Sequence, residues 1–256
     1  MKKELELNPE WKKSFEEDGY VAIRGFLDAD EVAEMKANLD RYIREVLPRL
    51  ESTEVFYEDK DRPETLMRLN RMYAHDAFFD KEVAKGKFRQ LAELLLGGDV
   101  DDKGVMFFDK PPRVGQPTPP HQDGYYWDIK PCEGLTMWLA LETVDEENGC
   151  VHYSRGSHKL GLREHGLTET IGFSQGITDF PNDDDRAGDI AMFAEAGDLL
   201  VHHAQTVHWA SGNDSITRSR KSMGMPYYAR GVVVDTASRE AYQEMLHKKL
   251  EAAGKI

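Results

Sequence analysis

Cysteine is scarce: Cys132 and Cys150 are the only two in 256 residues. Their spacing matches no metal or redox motif, and two thiols in so long a chain do not make a disulfide framework. Free thiols are expected. Long apolar runs are missing too, and nothing approaches the eighteen or so consecutive apolar residues that a membrane helix needs. The opening Met1-Lys2-Lys3-Glu4-Leu5-Glu6 is charged and lacks the apolar core of a secretory signal. The expectation is a cytoplasmic protein with no membrane partner. Basic residues are in deficit, 33 Lys and Arg against 47 Asp and Glu, for a net charge of −14. That argues against nucleic acid, because phosphate binding draws on clustered cations. A small molecule is the expected partner. No internal repeat or low-complexity tract breaks the chain.

What is present is apolar material for a real core, 40% of residues, in a length that suits one large domain or two small ones. Pro9 to Asp18 reads as a short helix stopped by Gly19, and Tyr20 to Arg24 as a strand. Asp28 and Glu31 have capping-box spacing. Behind them Val32, Met35, Leu39, Tyr42, Ile43 and Val46 recur at helical intervals until Pro48. Residues 51–64 read as a polar loop, and Ala84 to Leu96 as a helix closed by Gly97-Gly98. Short apolar or alternating runs then dominate, at 104–108, 135–141, 150–153, 190–194, 199–203 and 222–228. Many short strands with turn signals between them point to a sandwich or barrel. The polar stretch 160–189 reads as a long loop, and Arg239 to Ala252 as a closing helix. The predicted architecture is one α+β domain over 1–256. It has a mainly helical flank at 1–100, a jelly-roll (double-stranded β-helix) core at 101–232 and a C-terminal helix at 233–256.

The chemistry concentrates in two stretches. In Pro119-Pro120-His121-Gln122-Asp123-Gly124-Tyr125-Tyr126-Trp127, an extended chain would put His121 and Asp123 on one side. In Gly197-Asp198-Leu199-Leu200-Val201-His202-His203 and on to His208, a distant segment offers further imidazoles. Two histidines and one carboxylate on one face of a metal form the facial triad of non-haem Fe(II) oxygenases. Periodicity leaves the third ligand open between His203 and His208. Two rival readings use the same ligands: a jelly-roll metal-binding or sensor protein without oxygenase activity, and a zinc hydrolase. The second lacks a His-Glu-x-x-His motif.

The ordered set of local patterns resembles the phytanoyl-CoA dioxygenase family. The opening Phe15-Glu16-Glu17-Asp18-Gly19-Tyr20-Val21-Ala22-Ile23-Arg24-Gly25-Phe26-Leu27 carries the resemblance, as does Asp109-Lys110-Pro111-Pro112 ahead of His121-Gln122-Asp123. So do Trp138-Leu139-Ala140-Leu141, Asn148-Gly149-Cys150, Gly156-Ser157-His158, Gly197-Asp198, and His208 with Asn213 and a downstream arginine. The resemblance implies Fe(II) held by His121, Asp123 and His208, with 2-oxoglutarate and O2 as co-substrates. It also implies oxidation of an unactivated C–H bond with release of succinate and CO2. Because Asp123 supplies a carboxylate where related halogenases have a small residue, hydroxylation or desaturation is favoured over halogenation. The distal carboxylate of 2-oxoglutarate is expected on Arg220 or Arg218, with Arg220 the better match. Trp138, Arg68 and Gln122 complete the expected co-substrate site. Tyr125, Tyr126, Trp127 and His152 are the candidates to touch substrate.

Overall fold

The computed structural model describes residues 5–6, 8–168, 170 and 175–235. Helix α1 (Pro9–Asp18) starts at Asn8, whose side chain accepts from the Glu10 amide, and ends at Gly19. Gly19 has a left-handed φ of 83° and donates its amide to Phe15 O at 3.0 Å, a conformation that favours glycine. A Cβ there would also lie 2.4 Å from the His158 ring. Strand β1 (Tyr20–Ile23) follows directly. At the start of α2 (Ala29–Glu45), Asp28 accepts from the amides of Asp30 and Glu31, and Glu31 returns a bond to the Asp28 amide. That predicted box contributes about 1 kcal/mol. Val32, Met35, Leu39 and Tyr42 bury one face of α2, each by roughly 1.5–3 kcal/mol. Pro48 lies in the 3-10 turn Leu47–Arg49 that ends it.

The next stretch corrects the sequence reading. Residues 51–64 are not all loop: β2 (Val55–Tyr57) pairs with β3 (Leu66–Leu69). A three-residue strand is too short to display a period. After α3 (Met72–His75) comes a π-helical turn at Phe79–Ala84. The helix expected from Ala84 begins only past Gly86, as α4 (Lys87–Leu96), in keeping with the poor helix propensity of glycine.

Strands β4 (Val100–Asp102), β5 (Met106–Phe108) and β6 (Thr118–His121) follow, then the one-turn helix α5 (Asp123–Trp127). Next are β7 (Ile129–Lys130), β8 (Gly134–Ala140) and β9 (Val151–Ser154). The stretch read as a loop at 160–189 instead carries the hairpin β10 (His165–Leu167) and β11 (Gln175–Ile177), and the capped turn α6 (Asp183–Gly188). Then come β12 (Asp189–Met192), β13 (Leu199–His203), β14 (His208–Ala210), β15 (Ser222–Ala229) and β16 (Val233–Val234).

Two antiparallel sheets make the jelly roll. The larger runs β1-β13-β8-β15-β5-β3-β2, with β4 also on β15; the smaller runs β12-β9-β14-β6. The first hundred residues are therefore not only a helical flank, because β1, β2, β3 and the start of β4 belong to the larger sheet. Strand β8 is buried along all seven residues and shows why. Leu135, Met137 and Leu139 pack in the cluster that includes α1, α2 and α4. Trp138 and Ala140 pack with Val151, Tyr153 and Met192 of the smaller sheet. Covered on both faces, the strand reads as a continuous apolar run. Within 233–256, expected as helix, Val233–Val234 pairs with β7 as a strand; the helix predicted at 239–252 lies outside the described residues. Among the described residues, no helix is long and apolar enough to cross a membrane.

Candidate active site

His121 ends β6 and His208 begins β14, and the two face each other in register. The prolines that precede His121 fit because β6 is an edge strand, where a missing N–H costs no ladder bond. The chain stays extended only through Gln122 and turns into α5 at Asp123. Gly124 makes that turn possible: its amide donates to Ala204 O at 2.8 Å, and a Cβ would lie 2.4 Å from Cys132 Sγ. Asp123 is thereby swung between the imidazoles. Its Oδ1 is 3.5 Å from His121 Nε2 and 3.8 Å from His208 Nε2. The three side chains each offer one donor atom, all within 4.8 Å of one another, in reach of one cation with bonds of about 2 Å.

The surroundings prepare these atoms for a metal. His121 Nδ1 lies 2.8 Å from Pro119 O, and His208 Nδ1 3.0 Å from Thr206 O. Carbonyl oxygens only accept, so each Nδ1 carries the proton and each Nε2 turns a lone pair inward. Asp123 Oδ2 accepts from Thr136 Oγ1 at 2.5 Å and lies 3.2 Å from His202 Nε2. The Tyr153 hydroxyl, 3.0 Å from His202 Nδ1, completes that chain, leaving Oδ1 as the ligand. Burial works against charge on Asp123, and the positive charge of protonated His208, with hydrogen bonds from His121 and His202, outweighs it and holds the carboxyl well below its usual range. A bound cation would supply that charge once the imidazoles are neutral. Burial, with His121 and His202 nearby, pushes His208 well below the usual histidine value. A charged carboxylate beside a neutral imidazole is the protonation state a metal requires.

A second polar site lies behind Trp138. Arg220 is buried, its guanidinium carbon 5.3 Å from the Trp138 ring centre. Burial draws its pKa down to about 10, opposed by Asp109 and Cys150. Arg220 Nε and Ser222 Oγ are buried without a hydrogen-bond partner among the described residues. Buried polar groups without partners are costly, and a carboxylate would satisfy the Arg220 guanidinium. The residues present thus fit an anionic co-substrate. Arg218 does not belong here. It is one-third exposed and pairs with Asp145 and Glu147 at 2.8 and 2.5 Å, which removes it as an alternative. Two residues of equal strand parity separate because neither is in β15.

Arg68 projects from β3 towards the metal ligands. Its Nε donates to Asn70 Oδ1 at 2.7 Å, its guanidinium lies 5.1 Å from the Phe108 ring centre, and burial, opposed by Tyr126 and Asp123, lowers its pKa to about 10. Gln122 is corrected: its amide nitrogen donates to Gly161 O and Gln205 O, and its carbonyl accepts from the Arg163 amide. With those groups spent on backbone, it clamps the 161–163 segment and is not placed to hold a co-substrate. Tyr126 meets His121 edge-on at 5.9 Å and donates its hydroxyl to Gln175 O. Tyr125 stacks on His165 at 4.0 Å. These two line a cleft of about 450 Å³ with Ile129, Lys130 and Leu162. Trp127 packs on Tyr228 at 4.7 Å. His152 is also corrected. Alternation on β9 turns it away from Tyr153, onto Trp209 at 5.2 Å and Asp189 at 2.8 Å, on the outer side of the smaller sheet.

Three participants escaped the sequence reading. His202, noted there only as one more imidazole of the stretch, supports Asp123, whereas its neighbour His203 faces Phe15, His158 and Glu133 on the other side. Thr136 and Ser222 were also missed; Thr136 lies two residues from Trp138 on β8, where strand parity was the available signal, whereas Ser222 opens β15 just after Arg220 and had no such signal.

A two-sheet jelly roll in which two histidines and a carboxylate converge beside a buried arginine defines the class of non-haem metal oxygenases. Comparison with known proteins is more specific. The phytanoyl-CoA dioxygenase (PhyH) family profile matches residues 15–222, and the chain belongs to that family. It is 24% identical to the peroxisomal phytanoyl-CoA dioxygenase of Mus musculus, over 97% of this chain and 76% of that one. It is 26% identical to a probable alpha-ketoglutarate-dependent hypophosphite dioxygenase of Stutzerimonas stutzeri, covering 82% of this chain and 75% of that one. Among solved structures, the epimerase SnoN in complex with Fe3+, alpha ketoglutarate and nogalamycin RO superposes with a TM-score of 0.71 at 24% identity, covering 88% and 84% of the two chains. EctD from S. alaskensis with 2-oxoglutarate and 5-hydroxyectoine gives 0.70 at 19% identity, covering 87% and 76%.

Proposed function

We propose that this protein is an Fe(II)- and 2-oxoglutarate-dependent oxygenase that hydroxylates an unactivated C–H bond of a small organic molecule. His121 Nε2, Asp123 Oδ1 and His208 Nε2 would hold the iron. Arg220 and Ser222 would take the distal carboxylate of 2-oxoglutarate, against Trp138. Iron so bound supplies O2 activation, coupling the conversion of 2-oxoglutarate to succinate and CO2 to oxidation of substrate. The chain's own part is to orient and to exclude water. Thr136 and His202 fix the Asp123 carboxylate, and Tyr125 and Tyr126 line the neighbouring cleft that would receive substrate. Because Asp123 is a carboxylate, the position a halide would need is filled, which favours hydroxylation. Two free cysteines suit a reducing compartment such as the cytoplasm.

The observation that carries this reading is the pairing of a metal-ready triad with the orphaned Arg220 Nε and Ser222 Oγ. A plain metal-binding or sensor protein has no need of the second feature. Purified protein with Fe(II), ascorbate and 2-oxoglutarate should release succinate, and Asp123→Ala should abolish it. Binding of 2-oxoglutarate that is indifferent to metal, with no succinate formed, would support the sensor reading.

A further inference from the structure

Three polar residues in the stretches that resemble the family, Asp109, Asn148 and Asn213, are buried and have no part in the metal centre described above. Their bonds converge on the backbone that carries Arg220. That backbone is irregular, because β15 begins only at Ser222. Asn213 Nδ2 donates to Arg218 O and to Lys110 O, both at 2.7 Å. Asn148 Nδ2 donates to Ser219 O at 3.2 Å. Asp109 accepts the Ser219 hydroxyl on both carboxylate oxygens at 2.9 Å, and the Arg220 amide on Oδ1 at 3.2 Å. Lys110 and Arg220 exchange backbone bonds of 3.2 and 3.3 Å. Asp109 is itself fixed, its amide donating to Met67 O of β3 at 2.8 Å. Of the three, only Asp109 grips Arg220 directly, and only Asp109 can ionise.

We propose that Asp109 is a positioning residue for 2-oxoglutarate, fixing the Ser219–Arg220 backbone so that the guanidinium meets the co-substrate's distal carboxylate. This rests on the reading of Arg220 given above. The arrangement also makes co-substrate affinity depend on pH. Burial raises the Asp109 carboxyl to about 6. The Ser219 hydroxyl, Lys221 and Arg220 oppose that rise, and Glu142, beyond the end of β8, adds to it. Protonation turns one carboxyl oxygen from acceptor to donor, so the grip is complete above that pH and loosens as pH falls through it.

The test measures 2-oxoglutarate binding by calorimetry on Mn(II)-loaded protein, alongside KM and kcat with Fe(II). Asp109→Ala should weaken 2-oxoglutarate binding about tenfold and raise its KM, with kcat at saturation and Mn(II) affinity little changed. Asp109→Asn offers one acceptor and one donor, as the protonated carboxyl does, and should bind 2-oxoglutarate at neutral pH as weakly as the wild type does at low pH. It should lose the weakening that the wild type shows as pH falls through about 6. Normal binding by Asp109→Ala, an equal loss of Mn(II) affinity, or parallel pH profiles for wild type and Asp109→Asn would each overturn the proposal. Arg220→Ala separates the two levels. If it binds 2-oxoglutarate normally, the reading of Arg220 is wrong; if it binds weakly while Asp109→Ala binds normally, only the positioning role is.

Discussion

Replacing Thr136 by valine isolates one bond at the metal centre. Valine has nearly the shape of threonine, so the change leaves little cavity and removes a single donor, the hydroxyl 2.5 Å from Asp123 Oδ2. Hydrogen bonds to charged groups contribute about 1.5–3 kcal/mol, and 1.4 kcal/mol is a factor of ten in affinity. The remaining donor on Oδ2 is His202 Nε2 at 3.2 Å, too long to hold the carboxylate plane alone. The group then turns about its last side-chain bond and Oδ1 is no longer pre-aimed between His121 and His208. Metal affinity should fall about 10- to 100-fold, the usual effect of losing a partner that orients a ligand. Sign and pH follow from the same bond: without the donor, the carboxyl rises from its depressed range, and protons compete with metal at a higher pH than in the wild type. Competition titration with Co(II), a redox-stable stand-in for Fe(II), measures the affinity, and circular dichroism checks that the fold is retained. Thr136→Ser, which keeps the hydroxyl, should bind within a few-fold of wild type. Valine binding within about twofold, or serine losing as much as valine, would refute the reasoning.

Arg220→Lys keeps a charge but loses the planar fork, so KM for 2-oxoglutarate should rise by about tenfold or more. Arg218→Ala removes only surface ion pairs with Asp145 and Glu147 and should leave that KM within about twofold; succinate-release kinetics compare the pair. Gln122→Ala strands Gly161 O, Gln205 O and the Arg163 amide. Chemical denaturation should show a loss of about 2–4 kcal/mol, with 2-oxoglutarate affinity in the folded protein nearly unchanged; a large loss of that affinity would restore Gln122 to the co-substrate site.

How much was legible in the sequence follows from how local each signal was. The cap at Asp28, the stop at Gly19 and the strand at Leu199–His203 depend on a few adjacent residues, and the structure reproduces them. The metal triad was legible because His121 and Asp123 are near in sequence and the resemblance selected His208. What stayed hidden depends on long-range pairing. Strand β2 is recognisable only once β3 lies beside it. The assignment of Gln122 failed because its partners come from 39 to 83 residues away. Arg218 and Arg220 look alike in the chain, and only the acidic pair Asp145 and Glu147 draws the first to the surface.

Net charge describes the surface and not the interior. A chain at −14 was read as arguing against nucleic acid, and its interior nonetheless holds Arg68, Arg220 and Lys110, each with its pKa lowered chiefly by burial. For Lys110 the proximity of Arg220 lowers it further. Surface charge governs solubility and long-range encounter; affinity inside a cavity is set by the few charges that lack bulk water. Cations kept near one another under desolvation are individually unfavourable, and an incoming carboxylate relieves the repulsion as well as making its own bonds. Strand β8 joins this site to the metal: Thr136 reaches Asp123 and Trp138 lies under Arg220, two residues apart on one face. An acidic surface and an anion-seeking interior are therefore compatible, because the strand that separates the apolar core from the cavity also fixes the distance between the metal ligands and the cation.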